Sequence, residues 1–157
     1  YKLVSFEDAN GQMVDTIKVS SNAVKVSTPG KKQVWRITDK ADGKSEGDYI
    51  TLLDEDPRQE KDLYMFNPDY TYINKTVVNF EARPVLQPIY AQGKLVYKVP
   101  TLTEIRESSK QHLDRLWDEY KRDLNPQIYP VDLSQACYDN KMTILHRVRN
   151  YVNQLKF

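Results

Sequence analysis

The stretch TIKVSSNAVKVSTPGKKQVWRI, residues 16–37, alternates apolar and polar side chains as β-strands do, and the alternation breaks at Pro29-Gly30. Proline fixes its own φ angle and glycine can adopt a positive φ, so this pair predicts a stiff bend between two strands. Four lysines surround the bend: Lys18, Lys25, Lys31 and Lys32. Two interpretations are open on the residues alone. Lysines on a strand edge prevent edge-to-edge pairing of sheets, whereas ammonium groups held toward one point would bind a phosphate or another polyanion.

Runs of β-branched and aromatic residues predict further strands on both sides of this stretch. Upstream, YKLVSFED leads into Asn10-Gly11, a dipeptide suited to tight hairpin turns. Downstream, a polar loop is predicted at residues 40–47 and a hairpin turn at Gln92-Gly93. The predicted strands lie in residues 1–8, 13–20, 32–39, 48–56, 62–66, 76–91 and 94–99.

Helices are predicted from Pro100 onward. Thr101 and Glu104 have the spacing of a capping box, in which each side chain bonds the backbone N–H of the other. An apolar series with helical spacing follows and continues to Asn125-Pro126, and it places Trp117 against the strands. A second helix is predicted after Pro130, with Asp132 as its N-cap. Its predicted inner stripe comprises Leu133, Cys137, Ile144, Leu145, Val148, Val152 and Leu155.

This order of elements predicts an α+β fold, in which antiparallel strands and hairpins are followed by two C-terminal amphipathic helices. The 157 residues carry a net charge of +1, which disfavours a general nucleic-acid binder. No apolar run approaches the roughly 20 residues that span a bilayer, so no membrane role is expected. The single cysteine, Cys137, fits a reducing compartment, and we expect a cytoplasmic protein. Because Tyr1 begins in mid-pattern, we expect the chain to be a fragment of a longer protein.

The usual catalytic motifs are missing from the sequence. It contains no Walker loop, GxGxxG, CxxC or HExxH pattern, and its two histidines, His112 and His146, lie inside separate predicted helices. We therefore predict no catalytic residue and no metal ligand in this chain.

Several segments, read in order, resemble the carboxy-terminal portion of the nicotinate phosphoribosyltransferase family. The most specific are the lysine-rich element KVSTPGKK at residues 25–32 and NPQIYPVDLS at residues 125–134. The segments YKLV, RPVLQPIYAQGKLVYKVPTLTEIRESSKQHLDRL and EYKRDLNPQIYPVDLSQ add to the resemblance, which covers nearly the whole chain. The central segment, residues 62–84, resembles the form found in Gram-positive bacteria.

The resemblance implies an enzyme that joins nicotinate to 5-phosphoribosyl-1-diphosphate and forms nicotinate mononucleotide for NAD salvage. It implies coupled ATP hydrolysis through a phosphorylated histidine, with Mg²⁺ on the diphosphate. The catalytic α/β barrel would lie mostly upstream of Tyr1, and neither His112 nor His146 matches the phosphorylated position. We therefore expect this chain to be inactive alone and to bind no cofactor itself. A freestanding interaction module of the same fold is the alternative.

The resemblance also implies a role for the lysines, because the family's active site lies at a dimer interface where basic residues line a phosphate channel. Lys2, Lys18, Lys25 and Lys31 match positions that would supply this lining, whereas Lys32 and Arg36 are expected to be solvated or packed. Residues 1–47 would continue the upstream catalytic region, and residues 48–157 would form a C-terminal β-plus-helix domain. The expected partners are the upstream barrel of the same chain and a second subunit of a homodimer.

Overall fold

A computed structural model of the chain describes residues 2–22 and 25–155. Tyr1 of the first predicted strand, residues 23–24 of the alternating stretch and the last two residues of the predicted C-terminal domain lie outside the described residues. The described part contains ten strands: β1 (Ser5–Glu7), β2 (Met13–Asp15), β3 (Lys32–Asp39), β4 (Ser45–Leu52), β5 (Asp62–Phe66), β6 (Asn74–Val78), β7 (Phe80–Pro84), β8 (Tyr90–Ala91), β9 (Lys94–Leu95) and β10 (Val131–Leu133). It also contains three α-helices, α1 (Leu102–Asp114), α2 (Asp118–Lys121) and α3 (Gln135–Gln154), and a 3-10 helix at Pro57–Gln59.

Two small hairpins form at the turns that the sequence marks. β1 pairs with β2 across Asn10-Gly11, and β8 pairs with β9 across Gln92-Gly93. Both pairs are antiparallel, as predicted. The strands are shorter than predicted: β2 ends at Asp15 instead of continuing through residues 16–20, and β9 ends at Leu95 instead of residue 99. The alternating runs in the sequence therefore predict where these strands lie better than they predict how long the strands are.

A six-stranded sheet in the order β6-β5-β10-β4-β3-β7 forms the body of the fold. Neighbouring strands are antiparallel except for β10 and β4, which are parallel. The two edge strands, β6 and β7, are consecutive in the chain and are separated only by Asn79, which has a φ of 50°. One residue spans only about 3.5 Å, so the edges meet at that point and the sheet must curl.

The curl encloses the main hydrophobic core on the inner face of the sheet. Side chains at alternating positions of a strand point to the same face, and the buried residues of five strands follow this rule. The core residues are Trp35, Ile37, Tyr49, Leu63, Met65, Val77, Phe80 and Ala82. On the outer face, α3 packs through Cys137 and Ile144, and the Phe66 and Tyr138 rings meet edge to face at 5.4 Å.

The predicted capping box at the start of α1 is confirmed. The Thr101 hydroxyl accepts from the Glu104 N–H at 3.3 Å, and the Glu104 carboxylate accepts from the Thr101 N–H at 2.6 Å. However, the helix ends at Asp114 and does not continue to residue 125. The Ser45 N–H donates to the Arg115 carbonyl at 2.8 Å, and the Lys44 ammonium donates to the Asp114 carbonyl. The end of α1 is therefore bonded to the start of β4.

The N-cap predicted for the last helix is wrong. Asp132 lies in β10, and the cap is Ser134, whose hydroxyl accepts from the Cys137 N–H at 3.1 Å. Residues 131–133 are held in the sheet by pairing with β4 and β5, so the helix begins only after them. Of the predicted inner stripe, Leu133 is buried in β10, Cys137 and Ile144 are buried in α3, and Val152 and Leu155 are exposed.

The prediction that Trp117 is buried against the strands is also wrong. Trp117 is the residue before α2, and 39% of its surface is exposed. The chain leaves the helical path after Asp114, so the register that placed Trp117 inward does not extend to it.

The α+β fold class is confirmed, with β10 and the short α2 as additions. The division of the chain at residue 47 remains a prediction, and in the structure this residue lies inside β4.

None of the helices in the described residues is both long and apolar enough to cross a membrane.

Candidate functional site

The bend at Pro29-Gly30 is buried, and its backbone is closely surrounded. Gly30 has a φ of +86°, a conformation that side-chain-bearing residues rarely adopt. A Cβ atom on Gly30 would lie 2.9 Å from Asp15 Oδ2 and 3.1 Å from Leu52 Cδ2. The Gly30 N–H donates to the Val4 carbonyl at 2.9 Å. The positive φ of Gly30 agrees with the bend that the Pro-Gly pair predicts, and neighbouring segments hold this bend on several sides.

Lys32 stabilises the bend from inside. Its ammonium donates to the carbonyls of Thr28 at 2.7 Å, Pro29 at 3.2 Å and Gly30 at 2.5 Å. Burial lowers the pKa of this lysine, although the carboxylate of Asp15 acts in the opposite direction. Lys32 therefore has a structural role, because its ammonium provides hydrogen bonds to three carbonyl groups of a buried turn. Sequence spacing alone does not reveal this contact, which depends on the folded path of residues 28–30.

Three of the four predicted phosphate-lining lysines are gathered by hydrogen bonds around residues 25–27. The Lys2 ammonium donates to the Lys25 carbonyl at 3.1 Å. The Lys18 N–H donates to the Ser27 hydroxyl at 2.8 Å, and the Ser27 N–H donates back to the Lys18 carbonyl at 3.1 Å. All three lysines are exposed. We call Lys2, Lys18 and Lys25 the lysine cluster.

The fourth predicted lysine, Lys31, lies on the other side of the bend. It is exposed, and its carbonyl accepts from the Leu53 N–H at 3.0 Å, next to the end of β4. The bend is connected to α3 as well, because the Asn140 side-chain amide donates to Asp15 Oδ2 at 2.8 Å. Residues far apart in sequence therefore hold the segment that carries the lysines.

A second polar group lies on the outer face of the sheet beside α1. Arg36 forms a two-pronged salt bridge with Asp48, with distances of 2.9 Å and 3.1 Å. The Tyr129 hydroxyl donates to Asp48 at 3.3 Å and lies 2.6 Å from the Ser45 hydroxyl. Arg36, expected to be solvated or packed, is thus a half-buried ion-pair partner. Its charge is largely satisfied within the fold.

His112 on α1 faces the same outer-face group. Its Nε2 lies 3.5 Å from an Arg83 guanidinium nitrogen, and a guanidinium can only donate. Burial, reinforced by the charges of Arg83 and Arg36, lowers the pKa of His112. The lowered pKa favours the neutral imidazole, in which Nε2 could accept from Arg83. This arrangement fits a structural histidine.

The described residues provide no group of three or more His, Cys, Asp or Glu side chains positioned to hold a metal ion. Within residues 2–22 and 25–155, the arrangement consists of a rigid bend, a cluster of exposed lysines and satisfied ion pairs. Basic side chains thus lie beside one bend, and the described residues bring no metal-ligating group together. The fold and site define an α+β domain with a basic segment that precedes β3.

Comparison with known proteins agrees with this class. Residues 31–141 match the family described as the nicotinate phosphoribosyltransferase C-terminal domain. The nicotinate phosphoribosyltransferase of Bacillus subtilis is 46% identical over 154 residues, which are 98% of this chain and 31% of that protein. The enzyme from Mus musculus is 32% identical, over 86% of this chain and 24% of its own length.

A solved structure is similar as well. The crystal structure of human nicotinic acid phosphoribosyltransferase superposes with a TM-score of 0.67 at 27% identity, and the match covers 76% of this chain and 24% of the human one. The chain belongs to the nicotinate phosphoribosyltransferase family, as its C-terminal domain. It spans about a third to a quarter of the length of these relatives.

Proposed function

We propose that this chain is the C-terminal part of an enzyme that joins nicotinate to 5-phosphoribosyl-1-diphosphate with coupled ATP hydrolysis. The observation that carries the proposal is the identity of 46% to the Bacillus subtilis enzyme across nearly the whole chain. The parent would be a cytoplasmic homodimer that uses Mg²⁺. We assign no step involving Mg²⁺ or ATP to this chain, because its described residues bring no metal-ligating group together.

The contribution of this chain would be structural support and a basic lining for phosphate groups. The lysine cluster supports the second part, because the Lys2 ammonium is bonded to the Lys25 carbonyl and the Lys18 backbone is bonded to Ser27, and all three lysines are exposed. Preplaced cations stabilise the negative charge of a leaving diphosphate without reorganisation. Lys31, which lies beyond the bend, is included by resemblance. The chemical step itself is assigned to the upstream part of the parent enzyme.

The lysine role predicts an effect on catalysis without an effect on folding. In the full-length enzyme, Lys18→Ala and Lys2→Ala should each lower kcat/KM for phosphoribosyl diphosphate about tenfold, which corresponds to about 1.4 kcal/mol of transition-state stabilisation. Steady-state kinetics with varied phosphoribosyl diphosphate would measure this. Exposed Lys61, at the turn before β5, provides the control, and Lys61→Ala should leave kcat/KM unchanged.

The same assay tests the enzyme proposal itself. The full-length protein should form nicotinate mononucleotide, and the 157-residue chain alone should stay at the blank. If neither lysine substitution changes kcat/KM, the lysines only protect an edge. If the full-length protein does not turn over, the enzyme proposal fails and the interaction module gains support.

The structural contribution requires a surface that docks on the rest of the enzyme. No residue of α1 is buried, although α1 carries the large apolar side chains Leu102, Ile105 and Leu113. Trp117, which precedes α2, is also exposed, and the β8–β9 hairpin exposes Tyr90 and Leu95. We call these six residues the α1–hairpin face. Because the matched domain is C-terminal and the relatives are about three times longer or more, the occupant we propose is the preceding part of the same polypeptide.

Docking of this face predicts a change in amide hydrogen exchange. A 13-residue helix without buried side chains opens readily, because helices of this length are marginal in water. Residues 102–114 should therefore exchange at least about tenfold more slowly in the full-length protein than in the 157-residue chain. Mass spectrometry of both forms would measure the rates, with β3 as a control that should be protected in both. Equal exchange of α1 in the two forms would show that this face does not dock.

A further inference from the structure

A cavity of about 420 Å³ opens beside β10, at one end of the curled sheet. Its walls are largely aromatic and aliphatic, formed by Tyr70, Ile73, Tyr120, Ile128 and Tyr129. The Tyr120 and Tyr129 rings meet edge to face at 5.5 Å, which gives one wall a defined shape. Mouths of curled sheets and barrels are common places for small-molecule sites, which combine apolar walls with a few polar groups.

Asp132 is the buried polar group of this cavity. It pairs with Tyr49 in the register of β10 and β4, so its side chain shares the inner face with a core residue. Only 5% of Asp132 is exposed. Among residues 2–22 and 25–155, no side chain or backbone group forms a hydrogen bond or close ion pair with its carboxylate. Burying a carboxylate without a hydrogen-bond or ion-pair partner costs folding free energy. A position where the fold keeps such a group is therefore a candidate binding site.

The Asp132 oxygens must open into the cavity. No fully enclosed side-chain oxygen in the described part of the chain lacks a hydrogen-bond partner, so the carboxylate has to keep access to open space. The cavity that Asp132 lines is that space. Burial raises the pKa of this carboxyl, as expected for a desolvated acid, although the charge of Lys75 opposes the shift.

The charge balance at the cavity is negative. Lys75 also lines it, but its ammonium is bound by the Glu46 carboxylate at 2.6 Å and by the Glu46 carbonyl. The lysine and glutamate neutralise each other, and the Asp132 carboxylate remains as the unbalanced charge. A ligand for this place needs a cationic donor for the carboxylate and a flat apolar body for the tyrosine walls, whose faces attract cations.

We propose that the cavity beside β10 binds a small organic cation, a protonated amine on an aromatic or apolar body, with Asp132 as its counter-ion. Asp132 would accept hydrogen bonds from the ammonium, and Tyr70, Tyr120 and Tyr129 would contact the body of the ligand. This site is independent of the proposed transferase activity, which assigns no role to these residues.

The test compares three probes of nearly the same shape on the full-length protein by titration calorimetry and ligand-observed NMR. Benzylamine is cationic, benzyl alcohol is neutral and benzoate is anionic. We expect benzylamine to bind, benzyl alcohol to bind more weakly and benzoate not to bind. Asp132→Asn should weaken the binding of benzylamine at least tenfold and leave the binding of benzyl alcohol unchanged. The substitution removes the negative charge of the side chain and keeps its shape.

Two further variants make the result specific to this cavity. Tyr70→Ala should weaken benzylamine and benzyl alcohol by a similar factor, since it removes a wall that both probes would contact. Asp54→Asn, at an exposed position away from the cavity, should change neither. The proposal is overturned if benzylamine does not bind, if benzoate binds equally well, or if folded Asp132→Asn binds benzylamine as the wild type does. If Asp132→Asn does not fold, the proposal is tested by the relative binding of the three probes to the wild type and by the effect of Tyr70→Ala on benzylamine binding.

Discussion

Replacing Trp35 with alanine is expected to lower the free energy of unfolding of the chain by about 3–5 kcal/mol, the usual cost of removing a buried large aromatic side chain. Trp35 is 5% exposed and lies in the core enclosed by the curled sheet. Its indole N–H donates to the Thr51 hydroxyl at 3.0 Å, and Thr51 is itself only 1% exposed. The substitution therefore leaves both a large cavity and a hydroxyl without its donor.

Urea unfolding of the 157-residue chain, followed by circular dichroism, would measure this loss. Trp117→Ala is the matched control and should cost less than about 1 kcal/mol, since Trp117 is 39% exposed. Trp35→Phe keeps most of the ring volume and removes the hydrogen bond to Thr51, so it should cost about 1–2 kcal/mol, less than Trp35→Ala. Similar losses for Trp35→Ala and Trp117→Ala would contradict the placement of the core.

Replacing Gly30 with alanine is expected to cost about 2–4 kcal/mol, the second large effect. Part of the loss is backbone strain, because Gly30 has a φ of +86°. The remainder is steric, since the new Cβ would lie 2.9 Å from Asp15 Oδ2 and 3.2 Å from the Asn140 amide nitrogen. Those two groups are hydrogen-bonded to each other, so neither can move away without breaking the contact between β2 and α3.

Gly43→Ala isolates the strain contribution. Gly43 has a φ of +71°, and no atom lies within 4 Å of the position that its Cβ would take. This substitution should cost about 1 kcal/mol, the ordinary penalty of the left-handed conformation. The same urea experiment compares the two variants. If both cost the same, the crowding around the bend does not contribute to stability.

Many local features could be predicted from short segments. Asn10-Gly11 and Gln92-Gly93 predict their hairpins because the turn conformation needs residues that tolerate positive φ. Thr101 and Glu104 predict the start of α1 because both partners of the capping box lie within one helical turn. In each case the determining contacts are four residues apart or fewer, so the sequence contains the whole interaction.

The errors came from positions where distant segments compete with local preference. Asp132 and Ser134 are both good N-cap residues, and only pairing with β4 and β5 keeps Asp132 in a strand. Trp117 follows the helical spacing of α1, but the bonds from Lys44 and Ser45 to the end of that helix mark where the chain leaves it. The periodicity of a short segment carries no information about these bonds, because they join residues about 70 positions apart.

The sequence by itself determined the α+β class, the strand segments, the bend at Pro29-Gly30 and the resemblance to the nicotinate phosphoribosyltransferase family. Only the tertiary structure decided that the sheet curls at Asn79, that Lys32 satisfies the carbonyls of the bend and that Asp132 faces a cavity. The physical reason is the range of the interactions. Turn and cap preferences depend on a few adjacent dihedral angles, whereas burial and charge compensation depend on which distant residues the curled sheet brings together.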